Sequence, residues 1–357
     1  MSAEFNPQRL KLARSRQSLT RKALAQSIGV APLTITRIEK GESSPEDETV
    51  VKLADALLYP KDFFYGPDID SLTRGSASFR SLSGMSAKER EAALAAGSIA
   101  YIIMDWVSDR FNLPGLDLLD FRHEPDPAAA ARTLRHYWGL GEQPVSNVIK
   151  LLESKGVRVF SLAENTRKVD AFSCWRDETP YVFLNTLKSA ERSRFDALHE
   201  LGHLVMHRHG ESKGRTAEME ANLFASHFLM PPADIASRIP LISTLDQLIQ
   251  LKSKWGVSTA ALAYRLNKDT YLSDWVYRGF CIELNQRFGH DEPNPMDRER
   301  SAVWSQVLTS IWQDGITVGR LANKLNLPEA EVAQLLFGLT GKRKSDLPEN
   351  NTGLRLV

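Results

Sequence analysis

Apolar residues recur every three or four positions along most of this chain, which is the spacing of helices that bury one face. The clearest stretches run from 88 to 109 and from 128 to 138, and a shorter one lies near 145–154. Three short runs rich in β-branched and aromatic residues follow and predict strands. These runs cover 157–161, 171–175 and 181–184. The pattern predicts a mostly α protein with a small α+β core and further helices towards the carboxyl terminus.

The first sixty residues contain two short predicted helices joined by a tight turn. The first begins after a hydroxyl cap in the run Ser18-Leu19-Thr20, and the second runs from 31 to 40 before Gly41 ends it. Between them, Gly29-Val30 forms the turn. The apolar side chains expected to pack between the helices are Ala25, Ile28, Val30, Ile35 and Ile38. A helix pair of this kind suits the DNA major groove.

Composition narrows the class of protein. The chain has 357 residues, enough for two or three domains, with 42% hydrophobic and 25% charged residues, as in globular proteins. No apolar run reaches the roughly 18 residues that a membrane span needs, and no leader with an apolar core begins the chain. Its two cysteines, Cys174 and Cys281, do not make a disulfide framework. We therefore expect a globular protein of the reducing cytoplasm, without a membrane partner.

Residues His199-Glu200-Leu201-Gly202-His203 spell the pattern H-E-x-x-H inside a mostly apolar predicted helix. Histidines four apart lie on one helical face and can offer two imidazoles to one Zn²⁺. Glu200 can then take a proton from metal-bound water. The alternative is a buried structural helix whose two histidines are hydrogen-bonded within the core, but this alternative does not explain Glu200. The motif therefore favours a zinc site with Glu200 as its catalytic base.

A catalytic zinc site needs a third protein ligand, and two histidines downstream are candidates. His209 has the spacing of the longer pattern H-E-x-x-H-x-x-G-x-x-H, but that pattern requires glycine where Met206 stands. His207 lies on the same predicted helix as the motif, and one helix cannot comfortably place three ligands around a tetrahedral ion. Both histidines are therefore weaker candidates than a residue from another element.

Glu218 opens a second predicted helix, which Pro231 ends. Asn222 lies one turn later on the same face. We predict Glu218 as the third zinc ligand, Asn222 as a partner that orients a ligand, and Glu220 as a solvated side chain. An exposed carboxylate favoured by the helix dipole is the alternative for Glu218.

This part of the chain resembles the ImmA/IrrE-type metallopeptidases of bacteria and their mobile elements, across roughly residues 125–270. The segments that carry the resemblance are Arg194-Phe195 to His203, Glu218 to Phe224-Ala225, Leu229-Met230-Pro231 and Pro180 to Asn185. It implies a zincin-like α+β peptidase domain. It also implies that His199, His203 and Glu218 bind zinc and that Glu200 is the base.

The amino-terminal helix pair and the closing run Ile38-Glu39-Lys40-Gly41 resemble the Cro/repressor-type (XRE) helix-turn-helix family, across roughly residues 7–66. The resemblance implies double-stranded DNA as a partner. Lys22 departs from the pattern, because the family commonly has glutamine there. The side chains predicted to contact DNA are Lys22, Leu33, Thr34, Thr36 and Arg37. Because these offer few polar groups for base edges, we expect a homodimer or a weak binder.

Charge supports a DNA-binding amino terminus. Residues 1–40 contain eight basic and two acidic residues, a net charge of +6, whereas the whole chain carries only +1. A basic lobe on a near-neutral protein suits phosphate contact, although a solvated helical surface would have a similar composition.

Three further expectations concern the catalytic domain. The strand that ends at Asn185 could pair with an extended substrate by edge addition. Tyr181 and His227 are candidate helpers for a developing oxyanion, although each is more often a packing residue. Cys174 is expected to be an ordinary strand side chain rather than a redox sensor, since no basic residue is evident beside it.

Together these signals divide the chain into four parts. They are a helix-turn-helix domain (7–66), a linker and helical connector (67–124), a metallopeptidase domain (125–275) and a carboxyl-terminal helical region (276–357). The last residues, from 341 to 357, are expected to be loose.

Two functions from different classes remain open. One is a DNA-binding regulatory zinc metallo-endopeptidase that hydrolyses a peptide bond in a repressor or antitoxin-like partner. The other is an XRE-family transcriptional regulator whose peptidase-like domain only senses a ligand or metal. An antitoxin component of a toxin–antitoxin system is a third option. The intact ligand set and Glu200 favour catalysis.

Overall fold

The computed structural model of the chain describes residues 4–72, 77–79, 86–162, 171–208, 214–239 and 241–337. Helices dominate these residues, and one four-stranded sheet lies among them. The predicted fold class, mostly α with a small α+β core, is therefore confirmed. None of the described helices is long and apolar enough to cross a membrane.

The amino-terminal bundle contains the predicted helix pair. Its helices are α1 (Pro7–Arg16), α2 (Arg21–Ile28), α3 (Pro32–Glu39) and α4 (Asp47–Leu57). The Thr20 side chain caps α2, and Gly29 ends it with a φ of 72°, a left-handed conformation that glycine adopts without strain. The predicted apolar set is buried, apart from Val30, which is half-buried.

Three helices connect this bundle to the sheet region. They are α5 (Ala87–Ser108), α6 (Pro127–Tyr137) and α7 (Val148–Ser154). A capping box between Ser86 and Glu89 begins α5, whose residues from 92 to 101 are all buried. Gly97, on α5, makes room for Leu72, since a Cβ there would lie 2.7 Å from the Cδ2 of Leu72; towards the sheet it would meet the rings of Phe172 and Phe183 at an ordinary contact distance of 3.5 Å. On its other side α5 packs against α1.

The sheet has the strand order β1-β3-β4-β2. Its strands are β1 (Ala77–Phe79), β2 (Arg158–Leu162), β3 (Phe172–Arg176) and β4 (Thr179–Asn185). β3 pairs antiparallel with both β1 and β4, whereas β2 runs parallel to β4. The three strands expected from the sequence are present. β1 was missed, because three residues are too few to show an alternating pattern.

The expectation that the strand ending at Asn185 offers an edge to a substrate is wrong. β4 is an inner strand, paired with β3 on one side and with β2 on the other, so its backbone groups are already used. Among the described strands, β1 and β2 form the edges of the sheet.

The long helix α8 (Ala190–Met206) lies on the face of the sheet opposite α5. A second long helix, α9 (Arg215–Leu229), packs closely against α8. Gly202 permits this approach, since a Cβ there would lie 3.2 Å from the Cα of Ala221 and from the ring of Phe224.

The remaining helices complete the described chain. They are α10 (Pro232–Arg238), α11 (Leu245–Leu251), α12 (Thr259–Lys268), α13 (Asp274–Phe288), α14 (Ala302–Gln313), α15 (Val318–Lys324) and α16 (Glu329–Phe337). Buried ion pairs tie this region to α8, notably Arg194 with Glu299 and Lys252 with Glu191. Residues 341–357, which were expected to be loose, lie outside the described residues.

Candidate metal centre and nucleic-acid face

The helix α8 presents its two motif histidines from a buried position. Ser189 caps the helix, and apolar neighbours such as Leu198 and Leu201 anchor it. His199 and His203 are 0% and 5% exposed, and their Nε2 atoms lie 3.1 Å apart. The helical repeat thus directs both nitrogens to one point.

Glu218 brings a carboxylate to the same point from the first turn of α9. One of its oxygens lies 3.4 Å from the Nε2 of His199, and the other lies 3.4 Å from the Nε2 of His203. The three ligand atoms lie within 4.8 Å of one another. The Glu218 side chain is 28% exposed, so the cluster is open to solvent on this side.

The electrostatics of this cluster favour an ionised carboxylate. Burial is the largest influence on Glu218 and raises its pKa, but hydrogen bonds and charge from His199 and His203 together outweigh it and lower the pKa to about 2. The cluster therefore pairs two nitrogen donors with an anionic oxygen donor, a set that suits Zn²⁺.

A second layer of polar side chains holds the two histidines. The Nδ1 of His199 lies 3.1 Å from the Oδ1 of Asn222, and the Nδ1 of His203 lies 3.0 Å from the Nδ1 of His207. The Nε2 of His207 in turn lies 2.8 Å from a carboxylate oxygen of Glu220. The prediction that Glu220 is merely solvated is therefore wrong. The reason is that α9 packs against the end of α8, which places Glu220 beside His207.

Glu200 lies beside this centre and is buried. Its Oε2 accepts a hydrogen bond of 2.7 Å from the Oγ of Ser173, on β3. The sequence carried no signal for Ser173, because a serine inside a strand matches no motif. The contact fixes one carboxylate oxygen of Glu200 against the sheet.

Among the described residues, Tyr181 and His227 are not part of the ligand cluster. The Tyr181 ring packs against Tyr101 of α5, with ring centroids 4.8 Å apart, on the sheet face opposite α8. His227 lies 3.4 Å from a guanidinium nitrogen of Arg265, and burial together with that charge lowers its pKa to about 4. His209 lies outside the described residues.

Cys174 is a buried strand side chain. Its Sγ lies 3.2 Å from the hydroxyl of Tyr101, and burial raises the pKa of the thiol to about 12. A thiol with so high a pKa is rarely ionised near neutral pH, so it lacks the thiolate that redox sensing needs.

The helix-turn-helix face carries the predicted DNA-contacting residues at its surface. Lys22, Arg37 and Leu33 are exposed, with Leu33 at 57%. Thr34 and Thr36 are half-buried, and the Thr36 hydroxyl donates to the backbone oxygen of Pro32, 3.1 Å away.

The net charge of the amino terminus overstates the charge available to DNA. Arg9 is buried and donates to the carbonyl oxygens of Phe63 and Pro67. Arg14 pairs with Glu39 inside the bundle, and Arg16 pairs with Glu331 of α16. These contacts are long-range, so a count along the sequence could not anticipate them. The exposed basic residues in this segment are Lys11, Arg21, Lys22, Arg37 and Lys40.

The fold and the site together define a helix-turn-helix regulator that carries a metallopeptidase-like domain. Family comparison agrees: residues 152–267 match the IrrE N-terminal-like domain of peptidase family M78, and residues 10–64 match the helix-turn-helix family. The chain thus contains one segment similar to XRE-type helix-turn-helix domains and another similar to IrrE-type domains. A comparison with curated proteins finds no match.

Proposed function

We propose that this protein is a DNA-binding regulator that binds zinc through His199, His203 and Glu218 and hydrolyses a peptide bond in a regulatory partner protein. The observation that carries the proposal is the convergence of those three ligand atoms within 4.8 Å, beside the buried carboxylate of Glu200. A repressor or antitoxin-like protein is the proposed partner, because the same chain carries a DNA-binding fold.

The residues present fit a catalytic zinc ion. Two imidazoles and one carboxylate make three protein ligands, which is the number that leaves a position for water or substrate. Each imidazole has its Nδ1 held by a second polar side chain, as ligand histidines usually do. Bound zinc would polarise the scissile carbonyl and lower the pKa of its water towards about 7.

Glu200 performs the proton transfers in this proposal. Its carboxylate accepts a proton from the attacking water and returns that proton to the leaving amine nitrogen. Ser173 holds one carboxylate oxygen in place, so the group is oriented before the substrate arrives. A regulator whose cluster only senses metal would use the same ligands, but it would have no need for a buried and oriented Glu200.

The proposal is tested in cells that express either the natural chain or its Glu200→Gln variant. Profiling of new protein amino termini should reveal a cleavage product of a DNA-binding or antitoxin-like protein only with the natural chain. The transcriptional response should then depend on Glu200. If Glu200→Gln retains the full response, the protein acts as a sensor and the proposed hydrolysis is wrong.

His207 should strengthen zinc binding without being a ligand. When His203 binds zinc through Nε2, its Nδ1–H donates to the Nδ1 of His207, and the Nε2–H of His207 then donates to Glu220. We expect His207→Ala to weaken zinc affinity by about 10- to 100-fold. Titration against a chromophoric zinc chelator measures this effect. His136→Ala, at a histidine on α6, is the matched control and should leave the affinity unchanged. Equal zinc affinity of His207→Ala and the control would show that His207 does not support zinc binding.

DNA binding should depend steeply on salt, because protein cations displace counterions from phosphates. Affinity for a mixed-sequence duplex, measured by fluorescence anisotropy, should fall as salt rises. Arg37→Ala should reduce the steepness of the log–log plot by about 1 if Arg37 contacts a phosphate. Arg287→Ala removes the same charge from α13, which is not part of the bundle, and should leave the slope as it is. A flat salt response in the natural chain would contradict DNA binding.

A further inference from the structure

One edge of the sheet is formed by a segment that lies outside the matched IrrE-like region, next to the strand that contacts Glu200. β3 is the strand that holds Glu200, through the Oγ of Ser173. Its inner side pairs with β4, and its outer side pairs with β1. β1 lies in the stretch between the helix-turn-helix bundle and α5.

The register places β1 alongside Ser173, the residue that hydrogen-bonds Glu200. Ser78 lies opposite Ser173, with Ala77 opposite Cys174 and Phe79 opposite Phe172. Neighbouring strands are about 4.8 Å apart. The backbone of residues 77–79 therefore passes one strand width from the residue that hydrogen-bonds Glu200.

An extended peptide binds a sheet by adding a strand to its edge, where backbone N–H and C=O groups are unpaired. The outer side of β3 offers those groups beside the candidate centre, and β1 occupies them in an antiparallel pairing. The described part of β1 is three residues long, which is short for a strand, and a longer peptide can offer β3 more backbone hydrogen bonds than these three residues do.

We propose that β1 is a built-in competitor, which occupies the edge of β3 that would otherwise receive an extended peptide of a partner protein. The proposal rests on the function proposed above. The partner peptide must displace residues 77–79 before it can pair with β3. Because these residues lie between the helix-turn-helix bundle and α5, peptide binding would also free this connecting segment from the sheet.

The test uses proline, which cannot donate a backbone hydrogen bond. Along an antiparallel pair, every second residue donates its backbone N–H to the neighbouring strand. One of the two substitutions, Ser78→Pro or Phe79→Pro, therefore removes a hydrogen bond between β1 and β3. Ser78→Thr is the matched control, because threonine favours strands. All variants are made on the zinc-loaded Glu200→Gln protein, so that no probe is cleaved.

The probe is a fluorescein-labelled synthetic peptide with the sequence of residues 73–82 of this chain. We expect at least one proline variant to bind it ten or more times as tightly as the parent and the Ser78→Thr protein. The same peptide with proline in place of Ser78 and Phe79 should bind none of them. Equal binding by the parent and both proline variants would overturn the proposal.

A second measurement uses the parent protein, without a proline substitution in β1. Excess unlabelled peptide added to the parent protein should speed amide hydrogen exchange in residues 77–79, while β3 stays protected. Unchanged exchange at 77–79 with saturating peptide would also overturn the proposal. Backbone pairing requires no hydrolysis, so these outcomes are independent of whether the zinc site proves to be catalytic or only sensory.

Discussion

Glu200→Gln should lower kcat for the partner protein by at least about a hundredfold while zinc remains bound. General base catalysis typically contributes about 10²- to 10⁴-fold, and glutamine cannot accept the proton. The substitution keeps the size of the side chain and an oxygen that can accept from Ser173, so the fold around the site should survive. Single-turnover cleavage of the purified partner, with metal content measured on the same sample, separates loss of chemistry from loss of metal.

Glu178→Gln is the matched control for this experiment. Glu178 is an exposed carboxylate in the turn between β3 and β4, and it pairs with Arg208. We expect its activity to equal that of the natural chain. If Glu200→Gln cleaves the partner at the natural rate with zinc bound, the carboxylate of Glu200 is not the base and the proposed mechanism is wrong.

Glu218→Ala should weaken zinc binding by more than about a hundredfold, which is the upper end of the effect expected for a side chain that only supports a ligand. The carboxylate lies 3.4 Å from both imidazole nitrogens, and no other described carboxylate joins that cluster. Its loss leaves two neutral ligands, which hold a divalent ion poorly. Competition with a zinc chelator measures the affinity directly.

Thermal unfolding provides an independent measurement of the loss of zinc binding in Glu218→Ala. A ligand that binds only the folded protein raises its stability, by an amount that grows with ligand concentration relative to Kd. Zinc should therefore raise the Tm of the natural chain and have a much smaller effect on Glu218→Ala. Met219→Ala, at the exposed neighbouring position, should respond to zinc as the natural chain does. If Glu218→Ala keeps the full zinc response, the third ligand is another residue.

The two predicted effects also distinguish the proposed function from its alternative. A regulator that only senses zinc should lose its response with Glu218→Ala but keep it with Glu200→Gln. A regulatory peptidase should lose its response with either variant. The pair of substitutions therefore separates metal binding from hydrolysis within one protein.

The sequence by itself determined the elements and the spacing of the motif. The apolar stripe of α6 specifies which of its faces is buried, because the helical repeat is a local property. The same repeat places His199 and His203 on one side of α8 wherever that helix lies. Thr20 and Gly29 likewise predict the boundaries of α2 through capping and backbone freedom, which depend on a few adjacent residues.

Only the tertiary structure decided which distant residues meet. Ser173 reaches Glu200 because β3 lies beneath α8, and Glu220 reaches His207 because α9 crosses the end of that helix. Residues 77–79 become an edge strand only because β3 leaves one side open to them. Periodicity tells which way a side chain points from its own element, but its partner depends on how elements pack, and no local pattern encodes that packing.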